Sequence, residues 1–205
     1  ELKLPEAWVF ETGTNLWRQE EKWPPVAAQP RSLYLHAGGK LSFTEPANEA
    51  VAYDEYPSDP AKPVPYIDWT EVGLSPNYMV ADQRFAARRP DVLVYQTEVL
   101  ERDLRLAGPI EVDLTVSTSG TDSDWIVKII DVYPDDSPDP VENPTKIRMG
   151  GFQQLIRGDV MRGKFRNSFE KPEAFQTGVP TRVRFQLPDI CHAFRPGHRL
   201  MIQIQ

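Results

Sequence analysis

Between Ile110 and Val116 every second residue is apolar: Ile110, Val112, Leu114 and Val116 alternate with Glu111, Asp113, Thr115 and Ser117. Successive side chains of a pleated strand point to opposite faces, so this segment reads as a half-buried β-strand. The polar residues Ser119 to Ser123 make a turn, and Trp125-Ile126-Val127-Lys128-Ile129-Ile130 follows, apolar on both faces as an interior strand would be. The two segments predict an antiparallel pair.

The same strand signal recurs at Leu33–Leu35, Val92–Tyr95, Gln153–Arg157, Val160–Phe165, Val183–Leu187 and Leu200–Ile204, with turn residues between them. Val183, Phe185 and Leu187 alternate with arginine and glutamine, and Leu200, Ile202 and Ile204 alternate with Arg199, Met201 and Gln203. No segment carries a sustained helical stripe, and 20 prolines in 205 residues interrupt most windows that would hold one. Short strands joined by long proline-bearing loops predict an all-β fold with little helix, a jelly-roll β-sandwich, with an open barrel as the alternative.

Composition adds bounds. A single domain spanning residues 1–205 accommodates 40% hydrophobic residues in one core. The formal charge of -7 and scattered basic residues, with Arg88 and Arg89 the only adjacent pair, argue against nucleic-acid binding. One cysteine, Cys191, forms no internal disulfide and leaves the redox compartment open. There is no apolar run long enough to span a membrane and no signal peptide. The chain begins at Glu1 without Met and stops at Gln205 within an alternating strand, so a fragment of a longer protein, with a truncated last strand, is expected.

Hydrolytic chemistry requires a nucleophile, a base and an oxyanion site. No Gly-x-Ser-x-Gly elbow occurs, and Ser117, Ser119 and Ser123 read as turn hydroxyls. Cys191 and His192 are neighbours that a strand would point to opposite faces, so an inert thiol is expected. His36, His192 and His198 lack metal-ligand spacing, and His198 reads as a packing or hydrogen-bonding residue after the Pro196-Gly197 turn. Carboxylates cluster at Asp122 and Asp124 and again at Asp131, Asp135, Asp136 and Asp139. Oxygen ligands of this kind suit a structural calcium, with Asp122 and Asp124 as its candidate residues, although a solvated acidic loop is the plainer reading.

The proline-rich stretch 53–79 is too long and irregular for a hairpin. Its prolines would present Tyr56, Tyr66, Ile67 and Trp69 at low entropic cost to a ligand or a neighbouring domain, or the aromatics would close one end of the sandwich.

Several segments carry a resemblance: WVFETGTNLWRQEEKWPP, the SLYLHAGGKLSF hairpin, YPSDPAKPVPY, DQRFAARRPDVLVYQTEVLERDLRLAGPIEV, STSGTDSDWIVKIIDVYPD, MGGFQQLIRGDVMRGKFRNSFEKPE and FRPGHRLMIQIQ. They resemble the C-terminal, galactose-binding-like jelly roll of the X-prolyl dipeptidyl aminopeptidase and cocaine esterase group, most closely the α-amino acid ester hydrolases and their glutaryl acylase relatives. The resemblance implies a serine hydrolase that cleaves esters or amides of α-amino acids and transfers acyl groups to β-lactam nuclei. Its Ser-His-Asp triad would lie in an upstream α/β-hydrolase domain, leaving no catalytic residue here and requiring no cofactor. The jelly roll would pack on the hydrolase and cap domains through Trp8, Trp17 and Trp23, and would line the small-molecule ester or amide cleft with Tyr66, Ile67 and Trp69. It also implies a homo-oligomer and a periplasmic or secreted address. Carbohydrate-binding and oligomerisation modules are the competing readings, for which exposed stacking aromatics or a large apolar patch would speak.

Overall fold

The computed structural model describes residues 4–47 and 53–205. In chain order the strands are β1 (Ala7–Glu11), β2 (Leu16–Glu20), β3 (Tyr34–His36), β4 (Lys40–Ser42), β5 (Leu93–Gln96), β6 (Leu104–Val116), β7 (Asp124–Val132), β8 (Gln153–Arg162), β9 (Thr181–Phe194) and β10 (Arg199–Ile204). The helix α1 (Arg84–Ala87) is a single turn. This is the all-β, helix-poor sandwich that the period-two patterns predict.

One sheet has six strands in the order β3-β4-β5-β10-β7-β8; β6 and β9 form a second, and β1 and β2 a separate hairpin. Val127, Ile129, Leu200 and Tyr95 of the large sheet pack against Val112, Leu187, Ile190 and Phe194 of β6 and β9. Each such aliphatic or aromatic side chain withdrawn from water contributes about 1.5–3 kcal/mol. The outer face of the large sheet is covered too, where Ile130, Leu155 and Met201 pack beneath Tyr78. Burial on both faces is why β7 reads as a continuous apolar run.

Two local expectations change. The segments flanking the 117–123 turn are not paired with each other: β6 pairs with β9, whereas β7 lies between β10 and β8. The turn carries the chain from one layer to the other. β6 finds in β9 the opposite charges for its polar face, with Asp113 opposite Arg184 and Glu111 opposite Gln186, beside Arg182 and Arg184. Next, the two segments at 153–157 and 160–165 are one strand, β8, up to Arg162, with Gly163–Phe165 forming a 3₁₀ turn. Gly158 stays inside the strand because its missing side chain makes room for Lys128, whose Cγ would lie 3.1 Å from an added Cβ. Beyond the strands expected, β1 and β2 form a hairpin whose hydrophobic pattern runs opposite to that of the other strands.

Candidate functional site

In β1 the aromatic residues face outward and the glutamate faces inward. Trp8 and Phe10 are 58% and 41% exposed, whereas Glu11 is 1% exposed. Across the hairpin Phe10 stands opposite Trp17, itself 65% exposed. The rings pack edge to face, Trp8 on Trp17 at 6.4 Å and Phe10 on Trp17 at 5.5 Å. A contiguous exposed apolar ledge of this kind marks an interaction surface.

Buried polar groups hold the ledge in place. Glu11 accepts hydrogen bonds from the Thr14 hydroxyl at 2.6 Å, Arg18 Nη2 at 2.7 Å and Arg105 Nε at 2.6 Å. Burial pushes its carboxyl up, but these donors outweigh burial and leave it below the ordinary glutamate range. Thr12 then joins the hairpin to β9: its N–H donates to the Cys191 carbonyl at 3.1 Å and its carbonyl accepts from Ala193 N–H at 2.9 Å. The next residue has to be glycine, because φ is +87° and a Cβ on Gly13 would lie 2.0 Å from the Ala193 oxygen.

Beyond this joint the Thr12 hydroxyl lies 2.8 Å from His192 Nδ1, and His192 Nε2 lies 3.2 Å from Asp131 Oδ2. His198 Nδ1 meets the other oxygen of Asp131 at 2.8 Å. A hydroxyl, an imidazole and a carboxylate in sequence repeat the order of a hydrolytic triad. The chemistry does not follow, because His192 and Asp131 are each 1% exposed and Thr12 is clamped by its backbone bridge to β9. Burial raises Asp131, and the two histidines overcome that effect to leave it below the usual aspartate range. Cys191 is half-buried and its thiol is pushed up by burial and by Glu11, as expected of an inert thiol.

Beside the ledge runs a groove of about 570 Å³, lined mainly by Val9, Phe10, Trp23, Met79, Val80 and Ile156. Trp23 is half-buried and donates its indole N–H to Asp189 at 2.5 Å, so it forms the rim of the groove while Trp8 and Trp17 project freely. Arg157 also lines this groove, and its buried Nε has no acceptor among the described residues. Met79 and Val80 bring the end of the 53–79 loop to the same place.

Within that loop Tyr66 and Trp69 are 38% and 41% exposed, but Ile67 is 4% exposed. Ile67 therefore turns into the domain and cannot face a ligand; the outward set reduces to Tyr66 and Trp69. Tyr66 packs edge to face on Tyr78 at 5.4 Å and donates to the Gly73 carbonyl. Trp69 donates to Glu71 at 2.8 Å. The start of the loop is tied down where Tyr95 donates to Asp54 at 2.7 Å, and Tyr56 packs beside Trp125, Phe175 and Val183. Burial pushes the Tyr56 phenol up to about 12.

The carboxylates considered for calcium already have partners. Asp124 is held by both arms of Arg162, at 2.8 and 3.2 Å, and Asp122 accepts the backbone N–H groups of Ser123 and Lys164 at 3.0 Å. Those oxygens fit a divalent ion poorly, and no group of three or more His, Cys, Asp or Glu among the described residues is arranged to hold one.

Residues 3–205 match the family described as the X-Pro dipeptidyl-peptidase C-terminal non-catalytic domain. The chain belongs to that family. Cocaine esterase from Rhodococcus sp. (strain MB1 Bresler) is 30% identical over 98% of the chain and 34% of its own length. The crystal structure of an aminopeptidase from a marine sediment archaeon, Thaumarchaeota archaeon, is 41% identical with a TM-score of 0.89, over 100% of the chain and 33% of its own. An α-amino acid ester hydrolase structure is 42% identical with a TM-score of 0.88, over 98% and 33%. The chain thus spans about a third of the length of these relatives. Membership of a non-catalytic domain family agrees with a molecule whose Thr12–His192–Asp131 array is a buried strand joint. Sequence reasoning picked out Trp8, Trp17 and Trp23 through the resemblance, read Asp131 only as a member of an acidic cluster, and missed Glu11 and Thr12. The available signal was the inverted pattern of β1, aromatic outside and acid inside.

Proposed function

We propose that this domain is the accessory β-domain of a serine hydrolase acting on α-amino acid esters or amides, including β-lactam acyl groups. It docks on the catalytic and cap domains through the β1–β2 ledge and presents Tyr66 and Trp69 to the substrate cleft. The observation that carries the docking is the pairing of an exposed aromatic ledge with a buried scaffold, Glu11 and Thr12, that fixes its position. The substrate class rests on likeness to structures named as an α-amino acid ester hydrolase and an aminopeptidase, at 42% and 41% identity. A glycan platform is a poorer match, since rings packed at 86° and 64° to one another do not form a coplanar stacking surface.

The test uses the intact protein carrying upstream sequence, assayed with α-amino acid methyl esters. Y66A and W69A are expected to change KM or acyl preference with folding intact, and W8A/W17A to lower the unfolding midpoint of the assembled protein, as loss of aromatic anchors does. Unchanged kinetics in the first pair would remove the cleft assignment; an unchanged midpoint in the second would remove the docking face.

A further inference from the structure

At the far end of the large sheet a second cleft, of about 560 Å³, gathers three arginines in a chain of net charge -7. Arg84 and Arg88 come from the α1 segment, four residues apart and so on one side of its turn, and Arg199 comes from the start of β10. Tyr133, Asp135, Gly150, Gly151 and Gly197 are among the other residues of its walls.

The arginines differ in what their N–H groups already do. Arg84 is engaged at all three nitrogens: Nε donates to Asp82 at 2.6 Å, Nη1 to the Gly150 carbonyl at 2.9 Å and Nη2 to the Arg148 carbonyl at 2.8 Å. It builds the wall. Arg89, just outside, is spent on Asp91 through two contacts of 2.8 and 2.6 Å. Arg199 donates Nη1 to the Thr97 carbonyl at 2.9 Å, with Glu98 at 3.9 Å. Glu98 is 81% exposed and therefore largely screened. Arg88 is exposed, and its side chain has no hydrogen bond or ion pair among the described residues. One fork is free and a second mostly free in a single concavity, the arrangement that recognises planar or tetrahedral oxyanions.

We propose that this cleft binds a small oxyanion, a carboxylate or a phosphate, between Arg88 and Arg199, with Arg84 as the positioning residue that holds the Gly150–Gly151 wall. Asp135, the carboxylate among the lining residues, and Glu98 at the rim disfavour extended polyanions and restrict the site to a ligand that reaches the two guanidinium groups. The site is separate from the aromatic ledge and does not depend on the docking reading.

Calorimetric titration of the intact protein with phosphate, and separately with citrate, each against sodium chloride of matched ionic strength, decides the question. The expected result is saturable binding with a Kd on the order of 1 mM, weakened about tenfold by R88A and again by R199A. R88K should fall between, since an ammonium keeps the charge and loses the fork. K171A, which removes an exposed cation outside the cleft, should leave affinity unchanged. Arg88 has no partner to lose, so R88A tests the site without disturbing the fold, and an unchanged melting temperature verifies this. Stronger binding of one anion identifies the natural ligand chemistry as phosphoryl or carboxylate. No saturation beyond the chloride control, or equal affinity in R88A and the unaltered protein, overturns the proposal.

Discussion

Asp131 and Lys128 stand three residues apart on β7, on opposite faces of the same sheet, and each is almost wholly buried, at 1% and 2% exposure. Asp131 points between the layers and receives His192 and His198. Lys128 points outward under the 66–83 segment, where Nζ donates to Gln83 Oε1 at 3.0 Å. No carboxylate pairs with it among the described residues. Burial alone pushes its ammonium down to about 8. The difference shows that charge burial is decided by partners rather than depth: the inner charge is compensated by donors, whereas the outer one carries an uncompensated desolvation cost.

Breaking the compensated charge should have the largest effect. D131A leaves His192 and His198 without their shared acceptor and opens a polar void between β7 and β9. A loss of about 3–5 kcal/mol is expected in denaturant unfolding, as for other buried pairs stripped of one partner. The pH dependence follows from the sign. The folded carboxyl lies below its ordinary value of 3.8, so its contribution is present above that pH and is lost as pH falls through the folded pKa. The acid limb of the stability curve should therefore flatten in D131A. A loss under about 1 kcal/mol would place the joint's strength in its backbone bridges instead.

Lys128 predicts the opposite trend on the alkaline side. Its folded pKa of about 8 lies below the ordinary 10.5, so between those values the unfolded chain binds more protons and stability rises with pH. The rise amounts to about 3 kcal/mol. K128M abolishes it, so the variant and the parent should differ most at neutral pH and converge near pH 10.5. At neutral pH the gain is reduced by about 1–2 kcal/mol, because the Gln83 Oε1 acceptor loses its donor. Parallel curves for the two proteins would show that Lys128 meets water or an anion beneath the loop.

The contrast also explains what the sequence could disclose. Period-two alternation made the outer strands legible, as in Val183, Phe185 and Leu187, and the uniformly apolar run of β7 announced a strand covered on both sides. It could not disclose which strand pairs with which, because β6 meets β9 at a separation of 69 positions, Asp113 to Arg182, and a turn of seven residues serves a hairpin or a crossing equally well. Asp131 looked like one more acidic loop residue because its partners lie 61 and 67 positions away. Ile67 read as an outward residue from its aromatic neighbours, yet an irregular loop has no period to reveal which way a side chain turns. In β1 the pattern was readable but inverted.

The smallest effect belongs to charges that are paired and wet. On the open face of β6 and β9, Arg182 Nε donates to Asp113 at 2.7 Å and Arg184 lies 3.2 Å from Glu111, with the arginines 62% and 54% exposed. Water screens such pairs, and ordering the long side chains offsets much of the Coulomb gain, so R182A should cost less than about 1 kcal/mol and less still in high salt. Geometry alone would rank this contact, bidentate and short, above the 3.2 Å contact between His192 and Asp131. A loss in R182A approaching that of D131A would mean that distance outweighs burial in this fold; the expected order requires the reverse.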